Sequence, residues 1–176
     1  VRTQVVGLQA TALEQQFAGE VRARTESRLG FRVGGLLVAR PASLGERVKA
    51  GQLLARLDPQ DLQLGQEAAR AGLAAAQASA ELASADVQRF RELRQQGFIS
   101  GAELDRREAA ARSAQAQLEQ ARAQLGVQGN QARYTALTAP AAGVVTSVEA
   151  EPGAVLSIGT PVVRLAHDGP RDIVFS

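Results

Sequence analysis

Two stretches of this chain carry the same glycine spacing. Gly35, Gly45, Gly51 and Leu57 are separated by ten, six and six residues, and Gly143, Gly153, Gly159 and Leu165 repeat those intervals about a hundred residues later. Around the first copy, GERVKAGQLLARLDP, the short runs FRV, LLVA, RVK and LLARL are broken by Gly34, Gly35, Pro41, Gly45 and Gly51, a texture of short strands and tight turns. The second copy, GAVLSIGTPVVRLAHD, repeats that texture. Half a motif of this size cannot bury its own apolar residues. Two equal halves closing over each other can, so the repeat predicts a pseudo-twofold β-sandwich, with glycines at turns that need positive φ or at tight crossings. The expected core is Leu36, Val38, Val48, Leu54 and Leu57 against Val144, Val155, Leu156, Val162 and Leu165.

Between the copies the texture changes. At DPQD, Asp58 is placed to cap a helix, Pro59 to occupy its first position, and Asp61 to lie near its positive end. The helix is predicted to run to about Gln96. Leu62, Ala69, Leu73, Ala76, Ala80, Ala83, Val87 and Phe90 step mostly by three and four, and then Leu104, Ala111, Leu118, Leu125 and Ala132 recur every seven residues. Both patterns describe a coiled-coil seam. The intervening QQGFISGAE reverses the chain: Gly97 can end one helix in the left-handed conformation, Ser100 with Glu103 forms a capping box, and Ile99 with Leu104 supplies the flanking staple. The insert is thus an antiparallel hairpin with arms of roughly 35 residues, about 50 Å long. Its alanine-rich seam buries little area per turn, so Gly72, Gly126 and Gly129 are expected to be soft points, the last two fraying the returning arm before Tyr134.

Flanking the repeat, residues 2 to 24 contain partial alternation, with Phe17, Gly19, Val21 and Ala23 set against Ala18, Glu20, Arg22 and Arg24, as in one or two half-buried strands; the closing RDIVFS begins another. The chain starts at Val1 without a methionine, as a processed product or a piece of a longer protein would. No apolar run approaches the roughly 18 residues needed to cross a bilayer. With 45% apolar residues among 176 there is enough for a core, though a thin one at 3% aromatics.

Composition narrows the function. A pI near 9.9 accompanies a net charge of only +2, Lys49 is the sole lysine, and the signs are mixed. Nucleic-acid binding would need a one-sided basic stripe with stacking aromatics. Between Asp61 and Arg133 stand nine acidic and nine basic residues, a balance that suits side-by-side packing of copies. His167 is the only histidine and reads as a surface residue after the last strand; Asp58 and Asp61 read as a helix start, and Glu149 and Glu151 as residues flanking a turn at Pro152. No catalytic set or cofactor is expected. Without cysteine or methionine, soft ligands for copper are missing.

A glycine-spaced twofold β unit resembles the biotinyl and lipoyl carrier domains, and one split by a long α-hairpin resembles the membrane fusion proteins, the periplasmic adaptors of tripartite efflux pumps. The resemblance covers nearly the whole chain. Within RFRELRQQGFIS, Arg89, Leu93 and Ser100 reproduce the R-x3-L-x6-S pattern of adaptors of the resistance-nodulation-division (RND) type, where it meets the outer-membrane channel. Taken without that resemblance, Ser100 is explained by capping, Leu93 by tip packing against Phe98, and Arg89 by solvation.

The resemblance implies an α+β fold: a lipoyl/biotinyl-like barrel-sandwich hybrid (25–58 and 135–168) split by an α-helical hairpin (59–134, tip near 97–100), with partial β-barrel strands at 1–24 and 169–176. It implies a non-enzymatic adaptor in the periplasm, anchored to the inner membrane in the full-length protein, that links an inner-membrane transporter to an outer-membrane channel. The docking residues would be Arg89, Leu93 and Ser100, supported by Gly97, Phe98, Ile99 and Glu103. Several copies would stand in a ring. A swinging carrier domain is the alternative, but its modified lysine projects from the turn relating the two halves, and here the hairpin replaces that turn while Lys49 sits elsewhere.

Overall fold

The computed structural model of the chain describes residues 2–3 and 18–175. Among these, the glycine spacing becomes two copies of one strand pattern. The first copy holds β2 (Glu26–Gly30), β3 (Gly35–Ala39), β4 (Arg47–Val48) and β5 (Leu53–Leu57). The second holds β6 (Ala136–Thr138), β7 (Gly143–Val148), β8 (Val155–Leu156) and β9 (Pro161–His167). Neither copy makes a sheet of its own. The two four-stranded sheets run β2-β9-β7-β4 and β6-β5-β3-β8, so each contains strands of both copies.

The interleaving is fixed by a duplicated set of backbone hydrogen bonds. Gly45 donates to the Val145 carbonyl at 2.8 Å, and Gly153, its counterpart, donates to the Leu37 carbonyl at 2.7 Å. Gly51 donates to Ala139 at 2.8 Å and Gly159 to Phe31 at 3.0 Å. All four glycines have φ between 78° and 97°, a region that a side chain disfavours. The repeated spacing is therefore a set of crossing points where each half's turn is tied to the other half.

The core obeys the same symmetry. Its buried residues fall into pairs with the separation of Gly35 from Gly143: Phe31 with Ala139, Leu37 with Val145, Ala42 with Ala150, Val48 with Leu156, Leu54 with Val162, Ala55 with Val163, and Leu57 with Leu165. Six of the ten expected core residues are among them. The other four are not: Leu36 and Val38 are 40% and 41% exposed, Val155 is 81% exposed, and Val144 is half-buried. Leu37 and Val145 are the inward residues instead. In the unbroken run Leu36-Leu37-Val38 no alternation shows which parity faces inward, and a shift of one residue exchanges the faces of a strand.

From this body the chain departs into α1 (Gln60–Gln95) and returns along α2 (Gly101–Arg133). Asp58 Oδ1 accepts the Gln60 N–H at 3.0 Å, but the cap position falls on Pro59 and the helix begins at Gln60, one residue later than expected. Every residue of the two predicted stripes is buried or half-buried, with Ala80, Val87 and Leu118 the most enclosed. A further stripe on α2, Arg107, Ala114, Ala121 and Gln128, is half-buried too and completes its seam. The expected fraying at Gly126 and Gly129 does not occur, since α2 continues to Arg133. At the base of the hairpin Gln128 Oε1 lies where a Cβ on Gly65 would approach to 3.1 Å, and Gln66 Nε2 lies 3.5 Å from the Cβ position of Gly129. Each glutamine thus lies over the glycine of the facing helix. These glycines make room for polar seam residues rather than loosening the arm.

Beyond the sandwich, β1 (Gly19–Ala23) pairs antiparallel with β10 (Arg171–Phe175) as a separate two-stranded ribbon, the part of an adjoining barrel that the described residues supply. The predicted half-burial is not found: Val21, Ile173 and Phe175 are 58 to 64% exposed. A two-stranded ribbon has no second layer to cover it. The strand expectation at residues 4–17, Phe17 included, lies outside the described residues. Arg24 ties the ribbon's entry to its exit through Asp172 Oδ1, with Nε at 2.9 Å and Nη2 at 2.7 Å. His167 is not a surface residue after the last strand; it ends β9, half-buried, with Nε2 2.8 Å from Ser27 Oγ. No helix of the described residues is long and apolar enough to cross a membrane.

Candidate functional site: the hairpin tip

The end of the rod is built from local rules. Gly97 takes φ 79°, the Phe98 N–H donates to the Leu93 carbonyl at 3.0 Å, and the Gly97 N–H donates to the Arg94 carbonyl at 3.1 Å. These two bonds make a Schellman ending that satisfies the last carbonyls of α1. Replacing Gly97 with alanine puts a Cβ into the left-handed region at a cost of about 1–2 kcal/mol, and the expected result is faster amide exchange at Gly97 and Phe98 with exchange in the sandwich unchanged.

Two residues later Ser100 opens α2, its Oγ accepting the Glu103 N–H at 3.3 Å. Only this half of the capping box forms. The Glu103 carboxylate points along the helix to Arg107, whose Nε and Nη2 approach Oε1 at 3.0 and 2.8 Å, and Arg106 lies at 3.5 Å. Two guanidinium groups are stronger donors to a carboxylate than one exposed backbone N–H. Ser100→Ala should therefore cost about 1 kcal/mol of local helix stability, read as faster exchange over the first turn of α2.

Arginines brace the last turns. Arg91 Nε and Nη2 reach Glu108 on the facing helix at 3.1 and 2.8 Å. Arg107 lies over the Phe90 ring, 4.5 Å from its centroid, and Arg94 donates to the Ile99 carbonyl at 3.4 Å. Of these contacts only the apolar position of Phe90 was readable, because a seam that ends in a salt-bridged arginine looks like a polar face.

Within this frame the three motif residues have different surroundings. Arg89 projects outward, its side chain 63% exposed and, among the described residues, held only by Asp86 at 3.3 Å, a largely exposed pair of the kind that contributes little to stability. Leu93, one turn further along the same helix, is half-buried. Ser100 stands across the reversal with its hydroxyl turned to Glu103. Phe98 is 73% exposed, while Ile99 is half-buried. The tip presents a guanidinium, a leucine edge and a bare phenyl ring at the end of a rod. Among the described residues no group of three or more His, Cys, Asp or Glu could hold a metal ion.

The family model described as "RND MFP, barrel-sandwich hybrid domain" matches residues 26–165, from β2 through the hairpin to the end of the core strands. The chain belongs to the RND membrane fusion proteins. Membrane fusion proteins are non-enzymatic adaptors, and the carrier-domain alternative finds no support. The multidrug resistance protein MdtA of Yersinia pestis (strain Pestoides F) is 31% identical over 175 residues, a match that takes in 95% of this chain and 39% of that protein. This membrane fusion protein therefore spans about two fifths of the length of that relative. The MacA-MexA chimeric protein containing the Pseudomonas aeruginosa MexA α-hairpin domain is 26% identical, with a TM-score of 0.56 over 88% of this chain and 52% of that one. The membrane fusion protein Spr0693 of Streptococcus pneumoniae R6 has the same fold, with a TM-score of 0.66 at 20% identity over 88% of this chain and 64% of that one.

Proposed function

We propose that this chain is the docking portion of a periplasmic adaptor, in which the hairpin reaches from an inner-membrane efflux transporter to an outer-membrane channel for the export of drugs or other small molecules. The observation that carries the reading is the complete R-x3-L-x6-S pattern at the exposed end of a rod about 50 Å long. Arg89 supplies a fixed positive charge with little internal employment, Leu93 an apolar edge, and Ser100 a short side chain at the turn. Several copies surround an axis, with their hairpins forming a funnel and their sandwiches a ring below. Segments outside these residues hold the protein at the inner membrane.

The test separates folding from docking in the full-length protein. Arg89→Ala or Leu93→Ala should leave the melting transition nearly unchanged while weakening export and lowering cross-linking to the channel from a cysteine placed at Gln95. A variant at either position that still confers full export and full cross-linking would count against the tip assignment.

A further inference from the structure

The two copies of the β motif agree inside and disagree outside. All seven inward pairs are apolar on both sides, whereas two of three outward pairs have diverged: Val38 answers to Thr146 and Val155 to Arg47, while Leu36 answers to Val144. Leu36 and Val155 face each other across the β3–β8 pair, and Val38 follows on the same face of β3. The corresponding face of the other sheet carries half-buried Val144, opposite Arg47 across the β4–β7 pair, with exposed Thr146 and Arg47 bonded to Asp168 at 3.5 Å. The pseudo-twofold body thus has one outer face that is more apolar than the other.

Charge is divided in a similar way at the hairpin base. Beside Leu36, at the departing arm, lies a groove of about 380 Å³ bordered by Gly34, Gly35, Asp58 and Asp61. One Asp58 oxygen accepts from Gln60, and neither aspartate has a cationic partner among the described residues. At the returning arm, by β6 on the far edge of the same sheet, Arg32 lies over the Tyr134 ring, 4.0 Å from its centroid, and borders a second groove with Arg133. Neither arginine has a carboxylate partner among the described residues.

We propose that neighbouring copies of this chain join through these unlike shoulders, the apolar and acidic side of one (Leu36, Val155, Asp58, Asp61) receiving the Arg32–Tyr134 stack and Arg133 of the next. The proposal rests on the ring reading above and names its contact. A second copy is the occupant whose charges are on hand to complement both shoulders. A contact of like with like would set aspartate against aspartate, which repels, whereas unlike shoulders make a head-to-tail contact that closes a ring by rotation. Arg32 is already held over the Tyr134 ring, so less freedom is lost when its fork of donors meets a carboxylate.

The test mixes two full-length proteins that carry different affinity tags and no cysteine except the one introduced, Arg32→Cys in one and Asp61→Cys in the other. Oxidation of the mixture should give the doubly tagged dimer as the main adduct, with little adduct from either protein alone. Adducts formed mainly within the Arg32→Cys or the Asp61→Cys population would overturn the proposal, as would a mixture that stays monomeric on denaturing gels. Cross-linking to the channel from Gln95→Cys, made in a separate protein, reports on the docking reading independently, so failure at the shoulders is distinguishable from failure at the tip.

Discussion

Gly143→Ala should lower the stability of the sandwich by about 3 kcal/mol or more, while Gly35→Ala, at the equivalent position of the first copy, should change it by no more than about 1 kcal/mol. A Cβ on Gly143 would stand 2.2 Å from the Ala166 carbonyl oxygen and 3.0 Å from its carbon, both backbone atoms of β9. The strand cannot retreat without breaking its pairing with β7, where Val144 lies opposite Ala166. At Gly35 the nearest atoms are the Leu57 side chain at 3.5 to 4.0 Å, an ordinary contact. Neither glycine is among those with positive φ, so the contrast is purely one of space. Chemical denaturation followed by the fluorescence of Tyr134, the sole tyrosine in a chain without tryptophan, measures both variants. Equal losses would mean that the repeat constrains the two sites alike.

That contrast marks how far the spacing could be read. Glycines at matching positions told where the chain turns and crosses, because Gly45, Gly51, Gly153 and Gly159 share a conformation that few other residues adopt. They could not tell that Gly143 alone of its pair is pressed against a neighbouring strand, since that depends on the partner's path. Strand parity failed for a related reason. In β3 every residue from Leu36 to Val38 is apolar, and the choice of Leu37 as the inward one is made by the opposite sheet. The hairpin was more legible, because helical seams and caps are set by residues three, four and seven apart. Its misjudged stretch around Gly126 and Gly129 stays helical, and at Gly129 the Gln66 side chain of the facing helix occupies the space the glycine leaves.

At the tip, sequence located the reversal and the motif, and missed the bracing. Ser100 and Gly97 act through their own backbone neighbours and can be recognised one at a time. Arg91 and Glu108 are seventeen residues apart and meet only because the arms are in register. Arg107 was not singled out at all, since its half-burial depends on Phe90 and Glu103 offering a ring and a carboxylate together. His167 is the same kind of case, its partner Ser27 lying 140 residues away.

Leu57→Ala and Leu165→Ala should each destabilise the sandwich by about 2–5 kcal/mol, and by amounts closer to each other than to that of any surface substitution. Both side chains are fully buried, both stand at the final position of the repeated spacing, and each lies in a sheet built from both copies. Nothing in such an interleaved body can unfold by halves: releasing β5 frees an edge of β3 and of β6, and releasing β9 does the same to β2 and β7. The double variant should therefore lose on the order of 4–10 kcal/mol, comparable to the 5–15 kcal/mol typical of a domain, and Tyr134 should report a single transition in the parent protein and in each single variant. Two separate transitions, or a Leu57→Ala protein in which amides of the second copy keep full protection while the first copy exchanges freely, would show that the copies fold as independent units.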